Sequence, residues 1–272
     1  MGESMNYDVT ATIVTYNNDT NVLSKGIESF LDTTLNVHLY VVDNSPTKII
    51  AKLCGDARIT YLHTAQNLGF GKGHNIILAD VYKLGEFHLI LNPDIIIEEG
   101  TLEVLVDYLK NNKEVGVVMP KILNPDKTVQ LLPKLYPHPL NLILRFLQLN
   151  TKSIQDIDRK YMMADMDSVK PYNVGIVSGC FMLIRSKLLE DERFDERFFM
   201  YFEDFDLSRR LSRKTLLQLH PQVSVYHHYE RGSHNSLFLF KTMVFSMIKY
   251  FNKYGWIIDK ERKVKNSELY NK

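Results

Sequence analysis

Short apolar runs, several of them β-branched, alternate with amphipathic segments through the first 120 residues, and each run stops at turn-forming polar residues. This alternation restricts the fold more than any other feature. Strands joined through helices lie parallel by right-handed crossovers. The chain is therefore expected to be an α/β protein with a central, mostly parallel twisted sheet flanked by helices. Val9–Thr15 (VTATIVT) reads as a buried strand, and residues 19–33 as a helix with Leu23, Ile27, Phe30 and Leu31 on one face. Strands follow at 39–42 and 58–63, and a glycine-rich loop at 69–73 opens a helix to about 82. Phe87–Leu91 is the next strand, then a helix at 102–109 and a strand at 116–119.

Ligands on such sheets sit at the carboxyl ends of the strands. Thr15, Tyr16, Asn17, Asp43, Asn67 and Asn92-Pro93-Asp94 lie at those ends. Residues 130–173 are less regular, with Pro133, Pro137, Pro139 and Pro171, and read as an insertion covering one side of the site. A long strand is expected at 174–184 with Ser178-Gly179 inside it, a helix at 203–213 and a strand at 223–226. Leu237–Tyr254 reads as a long amphipathic helix. Residues 1–236 are expected to form one domain, with halves at 1–125 and 126–236, and 237–272 a C-terminal helical extension.

Charge narrows the partners. Thirty-three Lys/Arg against thirty-two Asp/Glu leave a net charge of +1. That balance argues against a nucleic-acid binder acting through bulk charge, so binding of an anion must be local. Cys54 and Cys180 are far apart among apolar residues and read as buried thiols in a reducing compartment. The start has no basic segment followed by an apolar core and cleavage site, and the expectation is a cytoplasmic protein. From Lys249 to Lys272 there are seven Lys/Arg and three Asp/Glu, overlapping an apolar stretch containing Phe238, Phe240, Phe245 and Phe251. Two readings are open: the apolar face packs on the domain or on a second copy as a homodimer, or it meets an anionic membrane surface.

Several clusters could carry chemistry. Asp94 follows a buried strand, and a carboxylate there can hold a hard divalent cation; an Asn-Pro-Asp turn without metal is the plainer reading. Asp43 could accept from a ribose hydroxyl or base N–H, or simply cap its turn. In NLGFGKGHN (67–75), backbone N–H groups and Lys72 could face phosphate, or the glycines could only permit a tight loop. In FFMYFEDFD (198–206), three carboxylates interrupt an aromatic run before a helix. Asp204 near apolar rings would gain proton affinity, which suits a general base; charge at a helix N-terminus is the alternative, above all for Asp206. His227, His228, Arg231 and Ser233 cluster in an expected loop, where His can ligate metal and Arg and Ser can bind phosphate.

The order of ATIVTYNN, VVDNS, NLGFGKGHN, LILNPD, VSGCFMLIR, FDERFFMYFEDFDLSRRL and VYHHYERGS resembles the family 2 glycosyltransferases, and within them the rhamnosyltransferase-like branch, from about Asp8 to Trp256. The resemblance implies a GT-A fold, a nucleotide-sugar donor, dTDP-β-L-rhamnose, and Mg²⁺ or Mn²⁺. The family's D-x-D metal motif falls on Asn92-Pro93-Asp94, a departure that leaves Asp94 as its carboxylate. The base-binding Asp falls on Asp43, and the E-D motif on Glu203-Asp204, with Asp204 as catalytic base. The late metal-binding His matches His227, with His228 as the alternative. Donor contacts are implied for Thr15, Tyr16, Asn17, Asn67, Gly71, Lys72, Asn75, Asn92, Gly179, Arg231 and Ser233. The acceptor implied is a glycan or lipid-linked saccharide of a surface polysaccharide such as O-antigen or capsule. Other donors on the same fold, UDP-galactose, UDP-N-acetylglucosamine or another dTDP-deoxysugar, are the nearest rivals. A nucleotidyltransferase would want a glycine- and lysine-rich loop where Tyr16-Asn17-Asn18-Asp19 stands, and a non-catalytic nucleotide-binding subunit would not need Glu203-Asp204.

Overall fold

All seven residues of β1 (Val9–Thr15) are buried, as are all seven of β2 (Val37–Asp43). Strands covered on both faces are what a parallel sheet between helices demands. The computed structural model describes residues 7–146, 151–166, 169–228 and 237–270. β1 leads through α1 (Thr20–Leu31) to β2, its parallel neighbour, and β2 pairs in parallel with β3 (Ile59–His63). α2 (Phe70–Leu78) then carries the chain back across β1 to β4 (Phe87–Leu91), parallel to β1 on its other side. The strand order therefore reverses at β1. The crevice beyond the carboxyl ends of β1 and β4 is the ligand position of an open α/β sheet.

The later strands make the sheet mixed. After β5 (Ile95–Ile97) and α3 (Thr101–Asn111) come β6 (Val115–Leu123), β7 (Tyr172–Asn173), β8 (Phe181–Arg185) and β9 (Leu216–His227). The order is β3-β2-β1-β4-β8-β6-β9-β5, with β7 also on β9. β8 runs antiparallel between β4 and β6, β6 and β9 are parallel, and β5 and β7 are antiparallel to β9. The parallel arrangement expected from the alternation thus holds among β1–β4 and again between β6 and β9.

Two expected strands have different bounds. Of 174–184, only the part from Phe181 is in the sheet. The preceding N–H groups are engaged elsewhere: Val177 N donates to Ser208 Oγ at 3.1 Å and Gly179 N to Asp204 Oδ2 at 3.1 Å. The last strand is longer than 223–226, running through register shifts near Pro120 against β6. The irregular stretch contains α4 (Pro139–Phe146) and α5 (Lys152–Tyr161).

α6 (Glu203–Leu211) is held from behind by α7 (Leu237–Tyr254) and α8 (Lys260–Tyr270). Phe198 and Phe202 pack with Tyr250 and Phe251 of α7. Asp206, fully buried, accepts from Lys253 Nζ at 2.5 Å, Tyr254 OH at 2.7 Å and Arg210 Nε at 2.9 Å. It is an anchor for α7 and α6 together, more than a charge at a helix start. Arg209, 2% exposed at its side chain, makes a bidentate pair with Asp259 at 2.7 Å and pairs with Glu261 at 2.7 Å. The buried face of α7 is therefore on its own domain. Phe238, Phe240 and Phe245 stay exposed, and no helix among the described residues is long and apolar enough to cross a membrane.

Candidate functional site

The register of β1 and β2 sets Thr15 opposite Asp43 at the carboxyl edge. Asp43 is 0% exposed and held by the protein: Oδ1 accepts from Thr15 Oγ1 at 3.3 Å and Ser45 N at 2.9 Å, and Oδ2 from Tyr61 OH at 2.7 Å. The bond to Ser45 N is the turn-capping geometry of an Asp two residues before its donor. Ser45 Oγ in turn accepts from Asn17 N at 2.9 Å, and Asn17 takes a left-handed φ of 53°. Asp43 thus fixes the loop that presents Tyr16, whose side chain is exposed beside the β1–β4 crevice.

The glycine-rich segment packs closely against the residues before α6. Gly69 has φ of 81°, and a Cβ there would lie 2.2 Å from the Phe199 carbonyl oxygen, so only glycine fits. Asn67 Oδ1 accepts from Gly69 N at 3.0 Å. Gly71 lies against Phe194, where a Cβ would stand 2.9 Å from that side chain's Cβ. Asn75 exchanges hydrogen bonds with the Phe194 backbone at 2.9 and 3.1 Å, and Lys72 Nζ lies 4.0 Å from Glu196. Gly71 and Asn75 therefore tie α2 to 194–199, and Asn67, Lys72 and the loop itself border the site.

At the other end of the crevice, Asn92 N donates to the Cys180 carbonyl at 2.9 Å, which fixes the exit from β4. β5 pairs Ile95 with His227, and this antiparallel contact brings the end of β9 to Asp94. His227 Nε2 lies 3.4 Å from Asp94 Oδ2. His227 Nδ1 lies 3.0 Å from Gln130 Oε1, while Gln130 Nε2 donates to Asn124 Oδ1 at 2.5 Å and to the His227 carbonyl at 3.2 Å. With its amide nitrogen so engaged, Gln130 accepts from the ring, so Nδ1 carries the hydrogen. Nε2 then turns its lone pair to Asp94, the tautomer a metal-ligating histidine needs. Asp94 Oδ1 is buried without a hydrogen-bond partner. One carboxylate and one imidazole facing each other suit a divalent cation. Among the described residues no group of three His, Cys, Asp or Glu side chains forms there. His228 meets Asp94 through its backbone N–H, at 2.9 Å from the carbonyl. Arg231 and Ser233 lie outside the described residues.

Glu203 and Asp204 begin α6 after two consecutive residues, Tyr201 and Phe202, at φ of 66°. Left-handed backbone at non-glycine residues costs on the order of 1–3 kcal/mol each and needs surrounding structure to hold it. Phe202 in its aromatic cluster and the Ser246 bond to the Met200 carbonyl at 2.8 Å supply that hold. Asp204 is fixed by Gly179 N on Oδ2 and by Phe205 N on Oδ1 at 2.9 Å. A Cβ on Gly179 would lie 3.3 Å from the Phe70 ring and 3.4 Å from Asp204 Cβ. Burial pushes both carboxyl groups above their ordinary range, and Glu203 is raised further by the Asp204 charge. Lys134 opposes the rise at Asp204. Neither Lys134 nor Gln130 stands out in the sequence, because both lie in the proline-rich stretch that carries no motif.

Residues 10–193 match the family described as glycosyl transferase family 2. The chain is 28% identical over 187 residues to an N-acetylglucosaminyl-diphospho-decaprenol L-rhamnosyltransferase of Mycobacterium tuberculosis, covering 62% of this chain and 59% of that protein. It is 26% identical over 235 residues to rhamnosyltransferase WbbL of Escherichia coli K12, covering 80% and 85%. In structure it is similar to GalNAc-T7 with UDP, GalNAc and Mn²⁺, at a TM-score of 0.64 and 14% identity over 93% of this chain and 50% of that one. It is also similar to the mannosyltransferase PcManGT of Pyrobaculum calidifontis in complex with GDP-Man and Mn²⁺, at a TM-score of 0.58 and 15% identity over 92% and 65%. These two likenesses show the fold, which is GT-A.

Proposed function

The chain belongs to glycosyl transferase family 2, and we propose that it moves L-rhamnose from dTDP-β-L-rhamnose, with inversion, onto a hydroxyl of a glycan or lipid-linked saccharide. The product would enter a surface polysaccharide such as O-antigen or capsule. The observation that carries the reading is the meeting of Asp94 Oδ2 and His227 Nε2, 3.4 Å apart at the exit of β4. The names of the two relatives above, both rhamnosyltransferases, support the sugar.

Asp204 takes the proton of the acceptor hydroxyl. The acceptor oxygen forms its bond to the anomeric carbon on the face opposite the diphosphate, and the bond to the leaving diphosphate breaks. The two N–H groups on Asp204 hold its carboxylate in place for that step. Asp94 and His227 would hold Mg²⁺ or Mn²⁺, which supplies positive charge for a developing diphosphate. Tyr16 and Asn17, on the loop set by Asp43, border the nucleoside. Gly179, lacking a Cβ, lets the backbone approach the sugar. Arg231 and Ser233 are assigned to the leaving diphosphate by resemblance. The protein would work in the cytoplasm, peripheral at the inner face of the plasma membrane through the exposed side of α7, where Phe238 and Phe245 stand outward.

A donor panel tests the activity. Purified protein with Mn²⁺ or Mg²⁺ is offered dTDP-β-L-rhamnose, UDP-galactose and UDP-N-acetylglucosamine, and released nucleoside diphosphate is measured. Turnover of dTDP-β-L-rhamnose above the others is expected. Preference for a UDP-sugar would replace the donor, and no turnover with no thermal shift by any of them would sink the enzymatic reading. Flotation with liposomes containing anionic lipid tests the membrane placement; protein remaining wholly unbound would contradict it.

A further inference from the structure

Glu203 and Asp204 are adjacent in sequence, and their surroundings differ sharply. Both oxygens of Asp204 accept backbone N–H groups. Glu203 is 6% exposed, and its Oε2 is buried with no hydrogen-bond partner. A buried carboxylate oxygen without a donor favours the protonated acid, whereas two N–H donors favour the carboxylate. The pair thus has one site built for a charge and one built for a proton.

A cation completes the asymmetry. The Lys134 carbonyl accepts from Gly175 N at 3.1 Å and Ile176 N at 2.9 Å, which fixes its backbone against the segment that carries Gly179. Its Nζ donates to the Leu132 carbonyl at 3.1 Å and stands 5.4 Å from the centre of the Phe205 ring. Phe205 is the residue whose N–H holds Asp204 Oδ1. Burial lowers the proton affinity of Lys134 below its ordinary value; the Asp204 charge acts against that fall, Arg145 adds to it, and Cys180 acts on the side of Asp204. Besides Glu203 and Lys134, the Tyr161 hydroxyl and the Cys180 thiol sense Asp204. Burial keeps both neutral, with the thiol pushed up to about 12.

We propose that Lys134 is a positioning residue for the transfer: its ammonium assigns the single negative charge of the acidic pair to Asp204 and leaves Glu203 protonated, as a hydrogen-bond donor to the acceptor. The inference rests on the reading of Asp204 as the base. Lys134 acts through Asp204 and needs no contact with the donor. A neutral Glu203 also removes the repulsion that two adjacent carboxylates would exert on each other and on a departing diphosphate.

The test compares Lys134→Met, Lys134→Gln, Lys134→Arg, Glu203→Gln and Asp204→Asn with the unaltered protein. The readouts are the pH dependence of kcat/KM for dTDP-β-L-rhamnose hydrolysis and the carboxyl titrations followed by carbon-13 NMR, assigned by loss of signal in the Asp204 and Glu203 variants. In the unaltered protein Asp204 is expected to ionise at lower pH than Glu203. Removing the Lys134 charge should raise the Asp204 titration and the acid limb of the profile by about one pH unit, since an opposite charge nearby lowers a carboxyl by roughly 1–3 units. Lys134→Arg should leave both in place, and Glu203→Gln should keep the acid limb because the amide stands for the protonated acid. An unshifted Asp204 in both neutral Lys134 variants, or Glu203 ionising first, overturns the inference while an inactive Asp204→Asn leaves the base intact. Normal turnover by Asp204→Asn overturns the base and the inference with it. If the neutral variants do not fold, the order of the two titrations in the unaltered protein still decides.

Discussion

His227 Nε2 lies 3.4 Å from Asp94 Oδ2 because β5 pairs Ile95 with His227 at the end of β9. Neither residue's local sequence requires the other, and a three-residue strand joins them. If this pair holds the cation, Asp94→Ala and His227→Ala should each abolish measurable Mn²⁺ binding at concentrations that saturate the unaltered protein. Electron paramagnetic resonance of free Mn²⁺ reads this directly. Equal binding by Asp94→Ala, or donor affinity indifferent to EDTA, would remove the metal role.

Gln130 offers a subtler check on the same centre. It touches His227 from behind, at 3.0 Å from Nδ1, and fixes which ring nitrogen faces Asp94. Groups that orient a metal-ligating histidine typically matter by about 10–100-fold in metal affinity. Gln130→Leu should weaken Mn²⁺ binding within that range and leave the fold melting near its original temperature. A full-strength site in Gln130→Leu would show that the tautomer is set otherwise.

Asp204→Asn keeps the size of the side chain and loses the proton acceptor. Turnover should fall on the order of 10²–10⁴-fold, the usual weight of a positioned base. Donor affinity, measured by calorimetry with the nucleoside diphosphate and Mn²⁺, should stay within a factor of a few. Loss of both together would mean that the carboxylate holds the donor.

Much of this arrangement was legible in the sequence where a residue's environment is local. β1, β4 and α7 have the expected bounds because burial on both strand faces and one helical stripe write a clear period. The exits from β2 and β4 were legible for the same reason, which put Asp43 and Asp94 at the ligand edge. The glycine loop was ambiguous, because a phosphate cradle and a close backbone contact both require a missing Cβ; Gly69 and Gly71 face Phe199 and Phe194. The strand expected at 174–184 looked continuous because its residues are apolar, yet the N–H groups of Gly175 and Ile176 go to the Lys134 carbonyl and those of Val177 and Gly179 to Ser208 and Asp204 on α6. Lys134 and Gln130 act through contacts distant in sequence, in a stretch with no periodicity to reveal them. β5 was too short to register at all.

The strained entry to α6 depends on the helices behind it. Arg209 is enclosed by Asp259 and Glu261, with the Tyr254 ring 4.1 Å from its guanidinium carbon. Removing one partner of such a buried pair leaves an uncompensated charge and costs about 3–5 kcal/mol. Asp259→Ala should lower stability by that amount in urea unfolding. Replacing both partners, as in Arg209→Met with Asp259→Leu, should recover most of it, since apolar packing can substitute for a buried ion pair. A loss under about 1 kcal/mol in the single variant would mean that Glu261 alone suffices for Arg209.

Acid sensitivity should come from two buried histidines, one in β4 and one on α2. His88 is 0% exposed, with Nδ1 2.8 Å from Thr10 Oγ1 and Nε2 3.1 Å from Thr12 Oγ1, and burial lowers it from 6.5 to about 3. His74, packed on Phe70 and Phe194, is also held well below its ordinary value by burial. The native state keeps both rings neutral while the unfolded chain protonates them near 6.5. Between those limits the unfolded state binds more protons, so stability must fall as pH falls. Each ring contributes a slope of at most about 1.4 kcal/mol per pH unit. The raised carboxyls of Glu203 and Asp204 act in the opposite sense, taking protons first in the native state, and offset part of the loss. Melting temperature measured from about pH 7 down to about pH 4 should therefore decline, and His88→Gln should decline less steeply because one linked proton is gone. A His88→Gln profile as steep as that of the unaltered protein would place the acid sensitivity in other groups.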